Sequence, residues 1–159
     1  MSDLSTPVTR YLDSHGIVYQ RLFQEKATTS IEETAQQRGI CPSKMVKSIL
    51  LVDMDNNYRL ACVPGKRSVD PKKVRAHFRS RRVTCVAANS VYKVTGYAVG
   101  TVSPLLLPKA VSVVFDIEIM QLDTVTISSG NKQFGLQLDF RTLLSLCSPD
   151  IADISRQIS

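Results

Sequence analysis

The chain has 159 residues, 43% hydrophobic and 21% charged, with a formal net charge of +6 and a sequence pI near 9.3. That length fits one domain with a proper core, so residues 1–159 are read as a single unit. Apolar runs such as Ser48-Ile49-Leu50-Leu51-Val52 are too short to span a bilayer, and the N-terminus lacks the apolar stretch of a secretory signal, which excludes a membrane role and makes a cytoplasmic location the expectation.

Residues 5–15 read as a short helix, capped at Thr6, with Pro7 at a first helical position and Val8, Tyr11 and Leu12 on one face. Residues 17–23 alternate as a strand. Ser30-Ile31-Glu32-Glu33 has capping-box spacing and opens a helix that ends at Gly39. Pro42 opens a further short helix. Residues 46–52 and 58–63 then form a strand pair turned by 53–57. Pro64-Gly65 breaks the chain, and Asp70-Pro71 starts a basic helix reaching Phe78. A strand at 83–86 and a short helix at 89–94 lead into a loop holding Gly96, Gly100 and Pro104. Strands follow at 111–116, 124–128 and 134–138, with a helical turn at 118–120 between the first two. An amphipathic helix at 140–146 comes next, and Pro149 begins a final turn. Strands interspersed with helices indicate a mixed α/β or α+β domain.

The usual chemistry is not announced. Cys41, Cys62, Cys85 and Cys147 stand far apart, and His15 and His77 complete no zinc-ligand spacing, so reduced thiols and no metal site are expected. No Ser-His-Asp order, phosphate loop or dinucleotide glycine pattern is present. Lys66, Arg67, Lys72, Lys73, Arg75, Arg79, Arg81 and Arg82 crowd residues 66–82, either as a solvated face or as a strip that meets phosphates.

Two features remain. Lys47 interrupts an otherwise apolar strand, where an ammonium must snorkel, pair or serve a pocket; the alternative is the exposed end of a strand. The run Thr95-Gly96-Tyr97-Ala98-Val99-Gly100-Thr101-Val102-Ser103-Pro104 combines glycine freedom with proline stiffness. Such a loop can offer free N–H groups to a developing oxyanion, or it can be a plain turn.

In chain order, five segments resemble the YbaK/EbsC family of aminoacyl-tRNA deacylases, which is related to the editing insertion of bacterial prolyl-tRNA synthetase. Met45 to Val52 resembles the strand carrying the family's lysine, and Val63 to Val74 its "PG…D…KK" segment. Residues 95–105 resemble its G-x-x-x-P loop, and Val113 to Asp116 with Ile127 to Gly130 its later strand and serine-glycine turn. The resemblance implies a mixed, strongly curved central sheet with surrounding helices.

It also implies hydrolysis of mischarged tRNA, most simply cysteinyl or alanyl tRNA(Pro), with prolyl-tRNA synthetase as a candidate partner and no cofactor. Lys47 and Gly100 are then the catalytic positions. Tyr97, Thr101, Val102, Ser103, Pro104, Ser129 and Gly130 are expected to bind substrate, and Lys72, Lys73 and Arg75 to bind tRNA. For a cysteinyl substrate the family offers attack of the substrate thiol on its own ester. The chain departs from the family at residues 130–135, read as a longer turn, with Gln137 near the place of an aspartate. The rival reading is a non-catalytic tRNA-binding module that kept the fold.

Overall fold

The computed structural model describes residues 4–24, 26, 28 and 30–158. Helix α1 (Pro7–Ser14) begins as read: Thr6 and Thr9 bond reciprocally, side chain to backbone, and Val8 and Leu12 are fully buried. Strand β1 (Tyr19–Phe23) and helix α2 (Ile31–Arg38) follow, with the Ser30 hydroxyl accepting from Glu33 N–H and Gly39 ending the helix. A 3₁₀ turn (Pro42–Lys44) delivers the chain to β2 (Val46–Val52), which pairs antiparallel with β3 (Tyr58–Pro64). The turn between them is held by Asp53, whose carboxylate accepts from the Asp55 and Asn57 N–H groups at 2.9 Å each.

The segment after Pro64-Gly65 is more structured than a break, for it forms β4 (Arg67–Val69) before helix α3 (Pro71–Phe78). Strand β5 is only Thr84–Cys85, shorter than expected, and helix α4 spans Ala88–Thr95. Strand β6 (Val111–Asp116), a 3₁₀ turn (Ile117–Gln121), β7 (Thr124–Asn131), β8 (Phe134–Asp139) and helix α5 (Phe140–Cys147) complete the expected order. The tail forms two short strands, β9 (Asp150–Ala152) and β10 (Ser155–Gln157), where the sequence reads as a turn.

The domain is therefore mixed α/β, with its strands in three sheets ordered β5-β2-β3-β6-β9, β1-β8-β7 and β4-β10. Alternation along β3 feeds two cores: Leu60 and Cys62 face one, Ala61 and Val63 the other. Val74 of α3 and Ile154 cover the smaller core, while α1, α5 and the β1-β8-β7 sheet close the larger. The first residue before β2 bridges the sheets, since Met45 pairs in parallel with Thr126 of β7. Asp116 ties the tail down: its carboxylate accepts from Ile154 N–H at 2.9 Å and from the Ser155 hydroxyl at 2.8 Å. Among the described residues no helix is long and apolar enough to cross a membrane.

Candidate active site

The Met45–Thr126 bridge sets the start of β2 beside β7, and a cleft of about 880 Å³ opens there. Helix α2 and the residues before it form one wall, and the loop after α4 forms another. Alternation in β7 turns Val125 and Ile127 toward the large core, and Thr126 and Ser128 line the cleft. Among the described residues four cationic side chains line the cleft, Lys26, Arg38, Lys47 and Lys132, and no carboxylate does. A concave site with that balance favours an anionic ligand.

Lys47 is half-buried and lies opposite Val63 in the β2–β3 ladder. Ile49 and Leu51, further along the same face, run into the small core, whereas Lys47 precedes them and lines the cleft. Among the described residues its ammonium has no hydrogen bond and no ion pair within 4.0 Å. Burial pulls its pKa below the ordinary 10.5, and the field of Glu32 partly opposes that. The lysine thus lines the cleft with no internal side-chain partner among the described residues.

The loop after α4 is fixed from behind. Tyr97 OH bonds to the Leu105 carbonyl, and the Thr101 hydroxyl and N–H both donate to the Ala98 carbonyl. Ser128 Oγ donates to the Thr101 carbonyl at 2.6 Å and accepts from Gly130 N–H at 3.0 Å, which pins the loop to β7. Gly100 lines the cleft at φ +83, a conformation that glycine adopts without penalty. The N–H groups of Gly100 and Val102, both cleft residues, make no hydrogen bond among the described residues. They are the free donors that an oxyanion would need.

The model of the aminoacyl-tRNA editing domain matches residues 25–146, most of the chain. The chain belongs to the aminoacyl-tRNA editing domain family. Over 152 residues it is 23% identical to EbsC of Enterococcus faecalis, named as a candidate Cys-tRNA(Pro)/Cys-tRNA(Cys) deacylase, covering 94% of this chain and 93% of that one. Over 76 residues it is 32% identical to a proline–tRNA ligase of Thermotoga neapolitana, covering 48% of this chain and 13% of the ligase. A solved structure described as a candidate trans-editing enzyme for prolyl tRNA synthetase superposes with a TM-score of 0.82 at 22% identity, covering 96% of this chain and 99% of that one, which fixes the likeness of fold.

Within this editing domain the residues expected from sequence divide into three groups. Lys47, Gly100 and Val102 line the cleft. Tyr97, Thr101, Ser103, Pro104 and Ser129 are buried behind it, and Gly130 packs against the Tyr97 ring. The Ser129 hydroxyl is committed to the Phe134 carbonyl at 2.6 Å, so its neighbour Ser128 is the serine that reaches the cleft. Lys72, Lys73 and Arg75 sit on α3, away from the cleft lining. Lys73 is already engaged, donating to Asp153 at 3.0 Å and to the Ser155 carbonyl at 2.7 Å.

Residues 130–135 are not a long turn: β7 runs on to Asn131 through a bulge, and Asn131 pairs with Phe134 around the two residues Lys132 and Gln133. Ser128, Lys26, Arg38 and Lys132 were not singled out from sequence. Nothing in their local pattern separates them from ordinary surface residues, and only the convergence of three segments gives them a common place.

The thiols offer no obvious nucleophile. Burial pushes Cys62 and Cys147 up to about 12. The Ser43 hydroxyl, hydrogen-bonded to Cys41, lowers that thiol, but Cys41 does not line the cleft. Single Cys→Ser changes at Cys41, Cys62, Cys85 and Cys147 are each expected to keep deacylation within about threefold of wild type. A change that stopped turnover while the protein melted normally would establish a covalent route through that thiol.

Proposed function

We propose that this editing domain hydrolyses the ester joining an amino acid to the terminal adenosine of tRNA, acting in trans on tRNA(Pro) that carries cysteine or alanine. The observation that carries the reading is the cleft itself, lined by four cations and no carboxylate among the described residues, with Gly100 and Val102, whose N–H groups make no hydrogen bond among those residues, also in its lining. An aminoacyl ester is already activated, so the site has to fix it, stabilise the oxyanion and admit water. Lys47 holds the phosphate or ester end. Gly100 and Val102 N–H meet the carbonyl oxygen, and the loop through Pro104 supports the adenosine. Cysteine is favoured as cargo by the name of the E. faecalis relative, and a prolyl-tRNA synthetase is the partner that supplies the mischarged tRNA.

Charged tRNA incubated with the protein tests this directly. Release of the amino acid above the buffer rate is expected, whereas binding without release would mark a tRNA-binding module that lost turnover. The tRNA body is expected to reach α3. Replacing Lys72 and Arg75, both exposed, by alanine should then weaken tRNA binding and reduce the salt slope by about 1 to 2. An unchanged slope would return α3 to a solvated face.

A further inference from the structure

Of the four cleft cations, Lys26 and Lys132 are exposed and Lys47 feels Glu32, but Arg38 stands apart. It ends α2, is half-buried, and its Nε is shut off from solvent with no hydrogen-bond partner. Among the described residues it makes no ion pair and stacks on no ring. Burial alone perturbs it, lowering its pKa from the ordinary 12.5, and an arginine stays charged at neutral pH regardless. An uncompensated guanidinium in such a place is costly unless a ligand completes it.

The opposite strand is cut to fit this side chain. Gly135 of β8 pairs with Leu22 and Ser128, and a Cβ built on it would overlap Arg38 Nη1 and lie 3.1 Å from Cζ. The guanidinium therefore occupies the space where any other residue at 135 would put its side chain. The cleft also holds a second unfilled group, Gln24 Oε1, which is buried without a donor. Donor and acceptor capacity are thus left open in one walled site beside the ester-binding elements.

Resting on the deacylase reading above, we propose that Arg38 determines specificity, receiving the side-chain carboxylate of an acidic aminoacyl group, so that the range of esters cleared extends beyond cysteinyl and alanyl to aspartyl. A guanidinium takes a carboxylate through two parallel N–H bonds, a geometry that lysine does not reproduce. Small uncharged side chains bring no carboxylate to Arg38 and gain nothing from it.

The test compares wild type, Arg38→Met, Arg38→Lys and Gly135→Ala in single-turnover deacylation of tRNA charged with aspartate or alanine. Arg38→Met is expected to slow aspartyl release about 30-fold or more, and by at least about tenfold more than it slows alanyl release. Arg38→Lys should recover only part of the loss. Gly135→Ala displaces the flexible end of Arg38, with its Cβ also 3.3 Å from the Ile127 carbonyl oxygen, and should reproduce the selective defect.

A parallel arm measures calorimetric binding of 3′-aspartylamino- and 3′-alanylamino-3′-deoxyadenosine, which cannot be hydrolysed and carry no phosphate. Arg38-dependent preference for the aspartyl analogue supports the assignment even if no ester is turned over, which separates its fate from that of the deacylase reading. Equal losses on both esters, or no aspartyl preference in either arm, would overturn it, the first pointing to a tRNA phosphate as the partner of Arg38.

Discussion

Lys47→Ala is expected to lower single-turnover deacylation by about 100-fold or more while the protein melts no lower than wild type. The activity figure is the typical cost of losing one charged or hydrogen-bonding group aimed at the reacting ester. The stability half follows from the site. Lys47 is half-buried without a partner among the described residues, and burial lowers its folded pKa below the ordinary 10.5. The unfolded chain then holds the proton more tightly, so burying the ammonium opposes folding at neutral pH. That penalty is fully present below the folded pKa and fades as pH rises through it toward 10.5. Lys47→Met, which keeps the stem, should therefore match or exceed the wild-type melting temperature at pH 7, and the gap should narrow as pH rises toward 10.5. A variant that lost solubility with its activity would make the lysine structural.

The second large effect is at Gly100. Gly100→Val and Gly100→Pro should each cost about 100-fold in rate, and Thr101→Ala and Ser103→Ala much less. The space beside Gly100 is not the obstacle, since a Cβ there would meet only Lys132 Cε at 3.9 Å. The backbone is: φ is +83, a region costing a non-glycine residue about 1–3 kcal/mol, and proline cannot enter it at all. Proline also deletes the free N–H. Thr101 and Ser103 are buried, and their hydroxyls bond within the loop, to the Ala98 carbonyl and from Leu105 N–H. Their loss loosens the support without removing a donor from the cleft. If Ser103→Ala proved as damaging as Gly100→Val in single-turnover assays, a side-chain hydroxyl would have to act on the substrate.

Lys47 was legible because an ammonium inside Val46–Val52 breaks the apolar pattern of a strand, and the Gly100 loop because glycine and proline punctuate it. The β2–β3 hairpin and the caps at Thr6, Ser30 and Asp70 were legible for the same reason, since their physics is local. Strands β4, β9 and β10 were not. Each has three residues, and their pairing joins Arg67–Val69 to Ser155–Gln157 and Val114–Asp116 to Asp150–Ala152 across long stretches of chain.

The basic segment stays open between its two readings for a related reason. Its charges look alike in sequence, yet Lys73 pairs with Asp153 and Arg81 with Asp55. The cleft's own cations come singly from four places, so no run of charge announces them. The serine-glycine turn was found, but which of two adjacent serines faces the cleft depends on strand alternation and a bulge at Ser128–Asn131.

The measurement that bears most directly on the account is single-turnover decay of tRNA(Pro) charged with cysteine, alanine or proline, with wild type and Lys47→Ala side by side. The account predicts that wild type accelerates decay of the cysteinyl or alanyl ester and spares the prolyl one, and that Lys47→Ala removes the acceleration while still folding. Wild-type protein that binds all three tRNAs and leaves every ester to decay at the rate seen in buffer would contradict it.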